Sequence, residues 1–189
     1  MSGIVDAMAK KPEFSFTMAH LKDEGMIATS EIATKIADFT YSKYMRDTRQ
    51  ALKDFDDGKD SMLIDDMVNM NIMLTGMVSD LSTGGKQLAV AHNFYDAVCC
   101  MYKDVRRKYL HGEIVAMALP LQLAVNGSPE AEIEELKAFL REVGIPVSIR
   151  EAGVPQAGLE ELITYVHRVT IPDDMELLEQ IRDGFKYIM

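Results

Sequence analysis

Four histidines occur in the sequence: His20, His92, His111 and His167. Two of them stand beside strongly apolar stretches. His92 lies in "LAVAHNFYDAV", and His111 opens "HGEIVAMALPLQLAVNG". Taken singly, His92 reads as a core histidine hydrogen-bonded to a neighbour, and His111 as a helix-start residue near a turn. Taken together they suggest more, because a buried imidazole needs polar partners. Two neutral imidazoles and one carboxylate make a three-ligand metal site with a position left open for chemistry. Asp6, in "SGIVDAMAK", is the carboxylate that a third helix offers. Spacing alone leaves both readings open, since scattered Asp and His are common in helical proteins.

The elements that must position these residues all read as helices. The first is short, with Ser2 as its cap and its end at Pro12. "TSEIATKIADFTYSKYMRDTRQALKDF" starts at a candidate cap, Thr29 or Ser30. It carries Ile32, Ile36, Phe39 and Tyr44 at helical steps. Leu63, Met67, Met70, Leu74 and Met77 form a second apolar stripe, read as core because thioethers fill irregular gaps well. Around His92, the residues Leu88, Ala91, Tyr95, Val98 and Tyr102 share a face. The segment after His111 is a buried helix that Pro120 should bend and Asn126-Gly127 should close. "SPEAEIEELKAFLREVG" is an amphipathic helix with Ser128 as cap, Pro129 at its first position and Gly144 at its end. A short extended link, 145–149, leads to two smaller helices, around 158–169 and 173–187. With no repeat and no clear linker, residues 1–189 read as a single all-α domain, a helical bundle.

Bulk composition narrows the function. At 48% hydrophobic, a chain of 189 residues can bury a substantial core. A net charge of −10 argues against nucleic-acid partners and anionic membranes, which attract clustered Lys and Arg. No apolar run reaches the ~18 residues of a membrane span, and the N-terminus lacks the pattern of a secretory signal. The two cysteines, Cys99 and Cys100, are adjacent, a poor geometry for a disulfide. They read as small apolar core residues in a reducing, cytoplasmic compartment. Neither a G-x-G-x-x-G nor a G-x-x-x-x-G-K-[ST] pattern is present. Gly84-Gly85, the one glycine pair, falls between helices.

Three segments carry a resemblance to a known family. "SGIVDAMAK" resembles the Gly-x-x-Asp-Ala segment of the iron-containing alcohol dehydrogenase and glycerol dehydrogenase superfamily. "GGKQLAVAHNFYDAV" is similar to its glycine-pair-then-helix segment, and "LHGEIVAMALPLQLAVNG" to its His-Gly-Glu helix. "EIEELKAFLREVGIPVSI" is similar to the next stretch of glycerol dehydrogenases. The resemblance runs over most of the chain and points to the superfamily's C-terminal, all-helical domain. It implies that Asp6, His92 and His111 are metal ligands. Iron-type alcohol dehydrogenases carry a further His where this sequence has Lys10, and often another where it has Tyr95 or Asp96. The remaining Asp-His-His set resembles the zinc-dependent glycerol dehydrogenase type, with iron as the alternative metal.

The resemblance also implies an activity: reversible hydride transfer between a polyol and NAD, with the metal activating the substrate hydroxyl. The superfamily's nucleotide-binding domain precedes the aspartate segment. The expectation is therefore a catalytic half that is inactive without that domain, and whose exposed cleft face favours a homo-oligomer or a separate nucleotide-binding partner. Ser82, Thr83, Gly84 and Gly85 are candidates for the substrate side. Asp96 and Glu113 are candidates to fix the second N–H of a ligand imidazole. Three rival readings stand beside this one. A non-catalytic helical assembly module would hold no metal. A dehydroquinate synthase-like relative shares His-Gly-Glu, but would carry glutamate at position 6 and Gly-His-Thr before His92. A glycerol-1-phosphate dehydrogenase-like relative would need cations such as Lys86 or Arg106-Arg107 for the phosphate.

Overall fold

Pro12 does not end the first helix, because a new helix has already begun before it. In the computed structural model, which describes residues 1–20, 28–82 and 88–189, α1 runs Ser2–Met8 and α2 runs Lys10–His20. Pro12 lies in the first turn of α2, where its missing N–H has no intrahelical partner to lose. Ser2 lies inside α1 and makes no side-chain cap; Met1 takes the capping position.

The 29-residue helix α3 (Ala28–Asp56) includes both Thr29 and Ser30. Its buried face is Ser30, Ala33, Ala37, Thr40, Tyr41, Tyr44, Thr48 and Ala51. Of the residues expected to face inward, Tyr44 is fully buried, whereas Ile32 and Phe39 are 48% and 57% exposed. Small and threonine side chains let neighbouring helices approach closely, and α3 packs against α2, α4 (Met62–Asn69) and α5 (Thr75–Leu81). A π-helical turn at Met70–Leu74 separates α4 from α5. Its wider winding rotates the face after it. Met67 and Met70 are buried as expected, while Ile72, Met73 and Met77 turn outward.

The rest of the bundle wraps the apolar segment after His111. Helix α6 (Val90–Met101) buries Val90, Ala91, Phe94, Ala97 and Val98. After α7 (Lys103–Lys108), helix α8 (His111–Met117) breaks at Ala118, and α9 (Leu119–Val125) starts with Pro120 in its first turn. Every residue from Ile114 to Leu123 is buried. Asn126 and Gly127, with φ of 75°, close α9 as expected. Helix α10 (Glu130–Glu142) comes next, with Pro129 rather than Ser128 at its capping position, and Gly144 at φ 80° ends it. The chain finishes with α11 (Ile149–Ala152), α12 (Leu159–Thr170) and α13 (Met175–Gly184).

Helix α1 lies along α8, α6 along α12 and α8, and α9 along α13 and α10. Among the described residues there is no strand, and no helix is long and apolar enough to cross a membrane. The all-α expectation holds. Cys100 is exposed and Cys99 half-buried, both as free thiols, so neither is a core residue.

Candidate metal centre

Each expected ligand sits where tertiary packing fixes its backbone. Asp6 is in the last turn of α1, His92 in the first turn of α6, and His111 is the first residue of α8. Gly112 lets α1 and α8 touch. A Cβ added there would lie 2.8 Å from the Cβ of Asp6 and 3.0 Å from the carbonyl carbon of Ser2. Only a glycine permits this approach, which brings the carboxylate of Asp6 to the ring of His111.

The three side chains converge. Asp6 Oδ1 lies 3.5 Å from His92 Nε2 and 3.2 Å from His111 Nε2. All three atoms fall within 4.8 Å of one another. Two ligands at ~2.1 Å from one ion in tetrahedral geometry are separated by about 3.4 Å. The two measured separations match that spacing. Asp6 Oδ1 is itself buried and makes no hydrogen bond. A buried carboxylate oxygen without a donor is costly, and a cation at the common point would satisfy it. The oxygen-and-two-nitrogen donor set suits zinc and is compatible with iron. Among the described residues, no other cluster of three metal-ligating side chains meets this geometry.

The charges around the site are balanced by a residue absent from the sequence-derived candidates. Glu13, on α2, is 3% exposed. Its Oε2 lies 2.7 Å from His92 Nδ1, and its Oε1 accepts the His92 backbone N–H at 2.9 Å. Burial pushes the His92 ring toward neutrality, but Asp6 and Glu13 on its two sides win, and its pKa rises to about 10. For Asp6, burial alone would raise the pKa. The approach of His92 Nε2 to 3.5 Å, with the positive charge of His92, His111 and Lys10, brings it below the ordinary aspartate value instead. The acceptor on His92 is therefore neither Asp96 nor Glu113. Asp96 is exposed, and Glu113 accepts the Leu110 N–H at 2.8 Å, securing the start of α8. One signal for Glu13 is legible in the sequence: a carboxylate seven residues after Asp6, with Phe14 and Phe16 close behind it.

Other contacts hold the frame. Gln122, wholly buried on α9, places its Oε1 on the N–H groups of Val90 and Ala91 at 2.8 and 3.2 Å. With Glu13, it caps the α6 N-terminus from outside that helix. The Tyr95 and His111 rings meet in a T-shaped contact, with centroids 4.2 Å apart, and the Arg106 guanidinium lies over the Tyr95 ring. Ser82 is buried with its hydroxyl on the carbonyl of Ser79, closing α5. Thr83, Gly84, Gly85 and Lys86 lie outside the described residues.

With this geometry established, known proteins offer a comparison. No family model matches the chain. The glycerol dehydrogenase of Thermotoga maritima is 33% identical over 82 residues, which are 43% of this chain and 21% of that protein. A solved structure of a probable glycerol dehydrogenase from Sinorhizobium meliloti 1021 superposes with a TM-score of 0.77 at 22% identity. It is matched over 98% of this chain and 53% of its own length. Glycerol dehydrogenase from Schizosaccharomyces pombe superposes with a TM-score of 0.75 at 19% identity, over 98% of this chain and 49% of its own. The fold is glycerol dehydrogenase-like. These likenesses bear out the resemblance drawn from the three segments. The chain spans about half the length of the solved relatives it matches.

Proposed function

We propose that this chain is the metal- and substrate-binding half of a polyol dehydrogenase. In this reading Asp6, His92 and His111 hold one divalent ion, zinc by preference and iron as the alternative. The observation that carries it is the orphaned Oδ1 of Asp6, buried between two imidazole nitrogens at 3.2 and 3.5 Å. Three protein ligands leave a coordination position free for substrate, the pattern of catalytic rather than structural sites. A bound ion of this kind supplies Lewis acidity, which lowers the pKa of a coordinated hydroxyl.

The chain's own residues supply the rest. Asp6 contributes negative charge that holds a cation at neutral pH, because its carboxyl stays ionised. The two rings, with centroids 5.4 Å apart and planes 49° apart, each bring an Nε2 close to that carboxylate, at 3.5 and 3.2 Å. Partial exposure of all three side chains, at 30 to 42%, keeps an approach open for a small polyol. The glycerol dehydrogenase likeness supports NAD as the hydride acceptor, held by a nucleotide-binding domain that works with this chain in the cytoplasm.

The experiment is metal analysis of protein purified without chelators, followed by Zn²⁺ titration of the wild type, Asp6→Asn and His111→Ala. The reading expects close to one ion per wild-type chain and loss of binding in both variants. Binding that both variants retain would refute it.

A further inference from the structure

We propose that Glu13 is a positioning residue that sets the tautomer of His92 and thereby the metal affinity of the centre. This inference rests on the metal-binding reading above. Among the described residues, the Glu13 carboxylate has no hydrogen bond or ion pair to Asp6 or His111. Both of its carboxylate oxygens are engaged by a single residue, one by the backbone N–H of His92 and the other by ring Nδ1.

A plain structural role would be helix capping. The same helix end provides the internal comparison. Gln122 satisfies two N–H groups there, those of Val90 and Ala91, with one neutral amide oxygen. Capping the third N–H needs no more than that. Glu13 instead buries a full carboxylate, which is costly without compensation. Its second oxygen adds nothing to the cap; it faces the ring at 2.7 Å. A carboxylate oxygen only accepts, so Nδ1 must carry the proton. The proton that a cation displaces is then the one on Nε2, the nitrogen 3.5 Å from Asp6 Oδ1, and that nitrogen's lone pair becomes the ligand. The acceptor also makes Nε2 a stronger donor toward a cation.

Replacing Glu13 by glutamine reverses this. The amide oxygen can keep the backbone N–H, but the NH₂ group then faces Nδ1 and donates to it. The neutral ring is pushed into the opposite tautomer, with a proton on Nε2 where the cation must bind.

The test compares Zn²⁺ and Co²⁺ binding to the full chain, as wild type, Glu13→Gln and Gln122→Met. Titration calorimetry reads affinity, and the visible Co²⁺ absorption reads the ligand set. Glu13→Gln is expected to bind about 10- to 100-fold more weakly, with a changed Co²⁺ spectrum. Gln122→Met loosens the same helix end without touching the ring; it should lower the melting temperature and leave affinity within about threefold, a difference below 1 kcal/mol in binding. Equal losses in the two variants would overturn the assignment, as would a Glu13→Gln chain that binds like the wild type. A wild type that takes up neither ion overturns the metal-binding reading and this inference with it. Should Glu13→Gln fail to fold, nitrogen NMR of the Zn²⁺-loaded wild type decides. The proposal expects a slowly exchanging Nδ1–H and a ligated Nε2 on His92; ligation through Nδ1 would overturn it.

Discussion

Gly112→Ala separates the geometry of the centre from the stability of the fold. The new methyl would press on the carbonyl of Ser2 and lie 2.8 Å from Asp6 Cβ. Carbon atoms pack at about 3.5 to 4.0 Å, so α1 would have to retreat by about 1 Å. Overpacking of this kind costs about 1 to 3 kcal/mol. The gain from replacing glycine in a helix, at most ~1 kcal/mol, offsets part of it. The net loss of stability is therefore modest. The loss of binding is not, because ligand distances tolerate only ~0.2 Å and Asp6 rides on the displaced helix. The assay pairs a thermal melt with a Zn²⁺ titration. Gly76→Ala serves as the control, since a Cβ at Gly76 meets nothing within 4 Å. Gly112→Ala should melt a few degrees lower and bind Zn²⁺ more than tenfold more weakly, while Gly76→Ala melts no lower and binds normally. Unchanged affinity in Gly112→Ala would refute the argument that the α1–α8 contact builds the site.

Other parts of the molecule lead to further expected outcomes. Phe94, fully buried on α6 with its ring tilted against that of Phe185, should cost about 3 to 5 kcal/mol when replaced by alanine, measured by urea unfolding. Asp47 is held at about 2 by its hydrogen bonds from Arg46 and Lys43. Its folded value is below its unfolded one, so its contribution is complete above pH ~4 and is lost as pH falls toward 2; as a solvent-screened pair it is worth under about 1 kcal/mol. Melting temperatures of the wild type and Asp47→Asn should therefore differ at pH 6 and converge below pH 2. The purified 189-residue chain should not reduce NAD with glycerol, and spectrophotometric detection of robust turnover would contradict the division of labour proposed here.

The candidates for the site are visible in the sequence, but not their grouping. His92 and His111 stand beside apolar stretches, which marks them for notice; it is the resemblance of three whole segments to a known family, and not spacing, that joins them with Asp6 into one proposed ligand set. Glu13 escapes because Pro12 looks like a terminator. Proline ends a helix when its ring meets a preceding turn, and in the first turn of α2 no such turn exists. The inward face of α3 is hidden for a different reason. Hydrophobic spacing favours Ile32 and Phe39, but close helix packing selects alanine and threonine, which periodicity scores poorly. The π-helical turn at Met70–Leu74 is equally hidden: it adds one residue to a winding, and no residue type announces it. The Gly112 contact depends on two segments more than a hundred residues apart, a pairing that a single sequence does not encode visibly.

The most direct measurement is X-ray absorption on the Zn²⁺-loaded protein. A single zinc per chain, with nitrogen and oxygen neighbours at ~2.0 to 2.1 Å and the outer-shell scattering of two imidazoles, is the expected result. A zinc shell containing sulfur, or one without histidine scattering, would contradict the assignment of Asp6, His92 and His111 as its ligands.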